Sequence, residues 1–137
     1  MKAQPSDPAR QLPAAMEGVL HEGNAPGVRA RFVVEGANGP TTPDGDAVLE
    51  DKGVVVVPDI LANAGGVVVS YFEWVQALQA WFWTEDEVGQ RLEQLMHRAY
   101  DEVSTTAAAQ SISMRSAAHV IAVGRVADAH RTRGLYP

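Results

Sequence analysis

Two stretches rich in Gly and Asn carry the side chains best suited to binding a small molecule. The first, EGANGP at positions 35–40, directly follows an apolar run. We expect Gly36 and Gly39 to adopt positive φ there, and Asn38 to tolerate the same conformation. A tight turn between a strand and a loop explains this spacing as well as a binding site does.

The second stretch is NAGG at positions 63–66, at the predicted start of a helix. Unpaired backbone N–H groups at a helix start favour anions or carbonyl oxygens, and Gly65 and Gly66 let a ligand approach the backbone closely. The alternative is that Asn63 is an N-cap that satisfies the first turn. One Asn can do both.

The remaining polar candidates point to structure more than to chemistry. We interpret Thr41, Thr42 and Asp44 as helix-capping residues, and we expect Asp59, at a strand end, to orient a neighbouring loop. The histidines have no HExxH or other metal-ligand spacing, so we expect no metal site. They are His21, His97, His119 and His130.

The elements that must position these loops form a strand–helix–strand unit. Residues 32–34 and 54–57 are apolar, β-branched runs without polar alternation, which is typical of parallel strands covered on both faces. Between them, Thr42 is a predicted cap, Pro43 fits the first helical position and Gly53 follows the last turn. Ligands of such sheets bind beyond the carboxyl ends of the strands, where both Asn-containing loops lie.

The rest of the chain is predicted to be helical. Apolar residues at three- and four-residue steps indicate an amphipathic helix over 64–81. Thr84 and Glu87 form a capping box for the next helix, which we expect to fray over 104–110. Ser113 is the predicted cap of a final helix that ends at Gly134.

Composition excludes several classes of protein. The 137 residues are 46% hydrophobic and 20% charged, which is ordinary for a globular protein, and the formal net charge of −6 argues against nucleic acid as a partner. Without cysteine there is no disulfide and no thiolate nucleophile. No apolar run reaches the length of a membrane span, so we expect a cytoplasmic protein with no membrane contact.

The motifs VEGANGPTT and VVVPDILANAGGVVVSYFEWVQ together resemble the carboxyl-terminal part of a glutamate dehydrogenase, in the glutamate/leucine/phenylalanine/valine dehydrogenase family. LPAAME and MRSAAHVIAVGRVADAHRTRG extend the resemblance over about Leu12 to Pro137. The resemblance implies a truncated α/β fold, with a parallel Rossmann-like sheet of two or three strands followed by two to three long helices. The third strand would lie near residues 10–14. We expect one domain over 12–137 after a flexible arm over 1–11.

The resemblance also implies a binding site for NAD or NADP and for an amino acid. The cofactor-binding residues it implies are Gly36, Ala37, Asn38 and Asn63. The substrate-binding residues it implies are Val67 and Ser70, and a serine at that position is similar to the glutamate-specific members. A local reading of Ser70 is a hydroxyl bonded back to a helix carbonyl.

Parts that the family uses for catalysis are not found in these 137 residues. The sequence has no GxGxxG loop, and it lacks the family's substrate domain with its catalytic Lys and Asp. We therefore expect no catalysis by this chain alone and no tight dinucleotide binding. The small sheet would leave apolar surface uncovered, and we expect another chain to cover it.

Three hypotheses about function follow. The first is a non-catalytic accessory or regulatory chain, a pseudoenzyme of glutamate metabolism, that associates with itself or with a full-length glutamate dehydrogenase. The second is a binding module for a nucleotide or an amino acid. The third is one piece of an active dehydrogenase that oxidatively deaminates glutamate to 2-oxoglutarate.

Overall fold

The computed structural model describes residues 19–134, which form two short strands and five helices. The strands are β1 (Phe32–Val34) and β2 (Val55–Val57). The helices are α1 (Pro43–Asp51), α2 (Asp59–Ala62), α3 (Gly65–Gln79), α4 (Glu85–Gln110) and α5 (Met114–Arg133), and a 3-10 turn spans Ala25–Gly27.

The two strands are parallel neighbours, with Phe32 opposite Val55 and Val34 opposite Val57. Helix α1 connects them, and an isolated parallel bridge joins Leu20 to Thr41. The predicted class is confirmed: a small parallel Rossmann-like layer followed by three long helices, in a mostly helical chain. The predicted third strand near 10–14 and the arm over 1–11 lie outside the described residues.

The predicted helix ends are confirmed by their hydrogen bonds. Thr42 caps α1 by accepting from the Gly45 N–H, and Gly53 follows that helix with φ +68°. Thr84 caps α4 in a complete capping box. Ser113 caps α5 by accepting from the Ser116 N–H. Each of these signals acts within three or four residues, which is why the sequence alone predicts them.

Helix α4 does not fray over 104–110, contrary to expectation, and runs unbroken to Gln110. The reason is burial: Val103 and Ala107 of α4 pack in one core with Ala117 and Ala118 of α5 and with Leu61. Tertiary packing therefore stabilises a segment whose own pattern is weak. Within residues 19–134, no helix is both long and apolar enough to cross a membrane.

A second small core lies on the other side of the layer and contains Leu20, Ala25, Val28 and Leu49. The strands are not covered on both faces by the described residues, which corrects that expectation for this chain. Val34 is 67% exposed, and both Phe32 and Val55 are also exposed. Residues 19–134 thus leave part of the apolar surface of both strands exposed.

Candidate functional site

The two Asn-containing loops meet beyond the carboxyl ends of β1 and β2. The Asn63 side-chain amide donates to Asn38 Oδ1 at 2.7 Å, and this bond links the loop after β1 to the end of α2. Asn38 is exposed, and Asn63 is half-buried. Two of the predicted cofactor-binding side chains are therefore in direct contact, although 25 positions separate them in sequence.

The loop after β1 differs from the prediction at Gly36. Only Gly39 of this loop has positive φ, at +59°, while Gly36 and Asn38 do not. A Cβ on Gly36 would meet no atom within 4 Å. Gly36 and Ala37 are both exposed, and the backbone conformation does not require glycine at position 36.

Asn63 is not the N-cap of α3. It is the C-cap residue of α2, and the N-cap of α3 is Ala64, which has no side-chain capping bond. The amide of Asn63 is directed to Asn38 instead. The start of α3 consequently retains backbone N–H groups that no side chain caps, next to Gly65 and Gly66.

Beneath these loops, Arg115 of α5 binds three carboxylates from three different elements. Its Nη2 lies 2.7 Å from Glu35 Oε1, and its Nη1 lies 3.3 Å from Asp59 Oδ1. Its Nε and Nη2 both donate to Asp46, the second at 3.1 Å. We call these four residues, Glu35, Asp46, Asp59 and Arg115, the carboxylate cluster.

The carboxylate cluster continues into the loops through hydrogen bonds. Glu35, only 2% exposed, accepts from the Thr41 hydroxyl at 2.5 Å and from the Asp59 backbone N–H at 2.9 Å. Thr41 is thus a partner of Glu35, and its interpretation as a helix-capping residue is wrong. Asp59 Oδ2 accepts from the Gly39 N–H at 2.7 Å, so Asp59 does orient the neighbouring loop, as expected.

These contacts shift two ionisation equilibria. The Gly39 N–H, more than any other group, lowers the pKa of Asp59; the Ile60 N–H and Arg115 add to this, and partial burial opposes it. Hydrogen bonding to Asp46 and then Glu35 raises the pKa of Arg115 further above its already high range, against the effect of burial. Both shifts favour the charged forms of Asp59 and Arg115.

The predicted substrate-binding residues lie apart from the cluster, on an exposed face of α3. Val67 is 75% exposed, and the Ser70 hydroxyl donates to the Gly66 carbonyl at 3.0 Å, as its local reading predicted. Other large apolar side chains are exposed along the same helix and just after it. We call the following set the α3 stripe: Val67, Tyr71, Trp74, Leu78, Trp81 and Phe82.

Sequence reasoning missed Arg115 and Asp46 entirely. One signal was available: Arg115 lies in the first turn of α5, where the positive helix end disfavours a cation and no acidic residue is present. A cation at such a position implies acidic partners from elsewhere in the fold. Among residues 19–134, no group of three His, Asp or Glu side chains has an arrangement suited to a metal ion.

A parallel strand pair, a crossover helix and polar loops at the carboxyl ends define a part of a Rossmann-like α/β protein. The family model of the Glutamate/Leucine/Phenylalanine/Valine dehydrogenases matches residues 7–134. The chain therefore belongs to the glutamate/leucine/phenylalanine/valine dehydrogenase family. The match begins before Leu12, where the resemblance in the sequence was expected to start.

Individual relatives agree with this assignment. The chain is 54% identical over 126 residues to a glutamate dehydrogenase of Thermotoga maritima, a match that covers 92% of the chain. It is 47% identical over 123 residues to the cryptic catabolic NAD-specific glutamate dehydrogenase GudB of Bacillus subtilis, covering 90% of the chain. These alignments span only 30% and 29% of the two relatives.

Solved structures show the same relation. A glutamate dehydrogenase of Peptoniphilus asaccharolyticus superposes with a TM-score of 0.82 at 43% identity, covering 90% of this chain and 31% of that one. A hetero-hexameric glutamate dehydrogenase of Thermus thermophilus, in a leucine-bound form, superposes with a TM-score of 0.84 at 42% identity, covering 90% of this chain and 30% of that one. The chain thus spans about 30% of the length of these relatives.

Proposed function

We propose that this chain is a non-catalytic accessory or regulatory component of NAD(P)-dependent glutamate metabolism that acts only in association with other polypeptides. In that association it contributes the nicotinamide-facing loops and one wall of the glutamate pocket. The observation that carries the proposal is the position of the α3 stripe, which starts at the predicted substrate-binding residues and continues to Phe82, itself 83% exposed. The proposal also places the protein in the cytoplasm.

The α3 stripe supports association because its apolar area has no cover within residues 19–134. Contiguous exposed apolar patches on proteins mark sites of protein contact more often than chance. Tyr71 and Trp74 have their ring centroids 5.9 Å apart, so the stripe presents paired aromatic surface, which is enriched in interface cores. The Thermus thermophilus relative is a hetero-hexamer, which supports an assembled state for this chain as well.

The asparagine pair supports a role at the nicotinamide end of the cofactor. Because Asn63 donates to Asn38, the two N–H donors of the Asn38 amide and the carbonyl oxygen of Asn63 remain outside this bond. A primary carboxamide such as that of nicotinamide offers the complementary acceptor and donor. The residues present therefore fit that group, and the cofactor when bound supplies hydride transfer.

Catalysis by the chain alone is not part of the proposal. A GxGxxG loop holds the pyrophosphate of the cofactor in Rossmann-like proteins, and it is absent from these 137 residues. Each charge-assisted hydrogen bond is worth about 1.5–3 kcal/mol, so losing several makes dinucleotide binding weak. In this proposal an associated polypeptide supplies the loop that binds the pyrophosphate.

The test combines solution mass with an activity assay. Wild type is expected to self-associate, or to bind full-length glutamate dehydrogenase of Thermotoga maritima and change its rate. Trp74→Glu places a charge in the α3 stripe and should abolish this association. Gln90→Glu makes the same charge change at an exposed polar position of α4 and should leave it intact. A monomer at every concentration, with no binding and no rate change, would refute the proposal.

A second candidate is that the chain is one part of an active dehydrogenase that oxidises glutamate to 2-oxoglutarate. The observation that favours it is that the alignment spans only 30% of the Thermotoga maritima relative, while the family match extends over residues 7–134 of this chain. A polypeptide with the remaining two thirds should then restore NAD(P)-dependent glutamate oxidation when mixed with this chain. Co-purification without turnover would favour the accessory role.

A small-ligand module remains the third possibility, and the same loops support it. Calorimetric titration of the isolated chain with NAD, NADP, ADP, glutamate and leucine separates it from the other two. Saturable binding to the monomer would favour a module, and flat titrations would count against it.

A further inference from the structure

We infer that Arg115 is a positioning residue, which sets the separation and orientation of the two asparagine loops without touching a ligand. The inference rests on the proposed function, because it assigns these loops to the nicotinamide end of the cofactor. It adds a role for Arg115, which lies on the last helix, more than fifty positions beyond either asparagine.

The geometry of Arg115 supports this role because its side chain contacts carboxylates at three places that frame the loops. Glu35 lies at the end of β1, Asp46 in the first turn of α1, and Asp59 begins α2. A planar guanidinium has five donors in fixed directions, and here they reach carboxylates on all three elements. A lysine at this position keeps the charge and loses that fixed directional pattern.

The path from Arg115 to the asparagines is short on both sides. On one side, Asp59 holds the Gly39 N–H at 2.7 Å, and Gly39 is the neighbour of Asn38. On the other side, Asp59 is the first residue of the short helix α2, whose C-cap is Asn63. Asp59 therefore fixes both loops. Arg115 in turn holds the carboxylates of Asp59 and Glu35.

The ion pairs of the carboxylate cluster are more buried than an ordinary surface ion pair, which suits a positioning role. The Glu35 side chain is only 1% exposed and that of Arg115 is 22% exposed, whereas Arg125 on the same helix is 66% exposed and pairs with Glu102. Exposed pairs of that kind contribute little to stability. Arg125 is therefore a matched control that carries the same charge on the same helix.

The experiment compares the full chain carrying Arg115→Lys with the full chain carrying Arg125→Lys. NMR measures the hydrogen-exchange rate of the Gly39 amide and compares it with that of the Val103 amide, which lies in the core between α4 and α5. Arg115→Lys is expected to accelerate Gly39 exchange about tenfold more than Val103 exchange, because it frees Asp59 locally. Arg125→Lys should change neither amide. Equal acceleration of both amides would mean that Arg115 only stabilises the fold, and an unchanged Gly39 amide would overturn the inference outright.

A second arm titrates nicotinamide mononucleotide and NAD. Arg115→Lys is expected to weaken binding about fivefold while Arg125→Lys binds like wild type. If the wild-type chain by itself binds neither nucleotide, the small-ligand module is contradicted, and the exchange arm decides whether Arg115 positions the loops. If Arg115→Lys does not fold, Asp46→Asn provides a second test, because it removes one of the three carboxylates that bind Arg115. This variant should also accelerate Gly39 exchange, but less than Arg115→Lys. An Asp46→Asn variant with wild-type Gly39 exchange would then contradict the inference.

Discussion

Asn63 Nδ2 lies 2.7 Å from Asn38 Oδ1, so one hydrogen bond joins the loops that follow two neighbouring parallel strands. Each asparagine resembles, by itself, an ordinary turn or cap residue. Together they form a preformed pair in which the Asn38 amide group and the Asn63 carbonyl oxygen lie outside the bond between them. Preorganisation of this kind reduces the entropy that a ligand would have to remove on binding.

This pair predicts measurable coupling between Asn38→Ala and Asn63→Ala. Each single change should lower the free energy of unfolding by roughly 0.5–1.5 kcal/mol, and the double mutant should cost less than the sum. Urea unfolding of the three variants measures the coupling. Ser70→Ala is the control, because Ser70 bonds only to its own helix among the contacts described. Strict additivity of the two asparagine changes would contradict the pairing.

Asp59 predicts a specific loss of stability in acid. Its folded pKa lies below the ordinary value of 3.8, mainly because it accepts the Gly39 N–H. The ionised group therefore contributes stability that is complete above the unfolded pKa and is lost as pH falls through the folded pKa. The charges of Arg115 and His119 also lower the pKa of Asp59.

The difference in unfolding free energy between wild type and Asp59→Asn should accordingly be largest near neutral pH and should shrink as pH falls below about 4. Urea unfolding at a series of pH values measures it. A difference that stays constant with pH, or that grows in acid, would show that the Asp59 charge contributes nothing.

Replacing glycine by alanine should change stability in opposite directions at two helical positions. A Cβ on Gly45 of α1 would lie 2.8 Å from the Leu20 carbonyl oxygen and 3.1 Å from His21 Cα, both backbone atoms. Gly45→Ala should therefore destabilise the chain by about 1–3 kcal/mol. A Cβ on Gly89 of α4 would meet nothing within 4 Å, so Gly89→Ala should stabilise by about 0.5–1 kcal/mol. Thermal unfolding of both variants measures the signs, and a shift in the same direction for both would be unexpected.

At the end of α3, the left-handed conformation of Ala80 predicts that glycine would stabilise the chain. Ala80 has φ 51° and ψ 34°, a left-handed conformation that costs a residue with a Cβ about 1–2 kcal/mol. Ala80→Gly should recover part of this cost, about 0.5–1 kcal/mol, after allowance for the flexibility of glycine in the unfolded chain. Ala77→Gly, inside the same helix, should instead destabilise by about 1 kcal/mol. Denaturant midpoints of the two variants should move apart, and parallel movement would argue against the left-handed cap.

Much of the fold could be predicted from the sequence. The parallel strand pair, the crossover helix and the caps Thr42, Thr84 and Ser113 all depend on residues close together in the chain. Errors arose where a side chain had an alternative partner outside the turn that it was expected to cap. Asn63 turned to Asn38 instead of capping α3, and Thr41 turned to Glu35 instead of capping α1.

The candidate site was predicted in part. The loops and their asparagines were predicted, and their roles at a cofactor remain predictions. The carboxylate cluster was not predicted as a unit, because its members are separated by up to 80 positions and none stands in a recognisable spacing. Nor could periodicity decide which side of α3 is covered, since that helix is apolar on both its buried side, at Phe72, and its exposed side, at Val67.

The sequence by itself determined the family through its motifs. It also determined the strand pair, the crossover helix and the caps Thr42, Thr84 and Ser113, because caps, turns and apolar periods are local interactions. Only the tertiary structure decided which polar groups meet at the strand ends and which apolar faces stay open. Those outcomes depend on burial: Glu35, once buried beneath the loops, requires Arg115 as its partner from the other end of the chain. No spacing along the chain encodes that pairing.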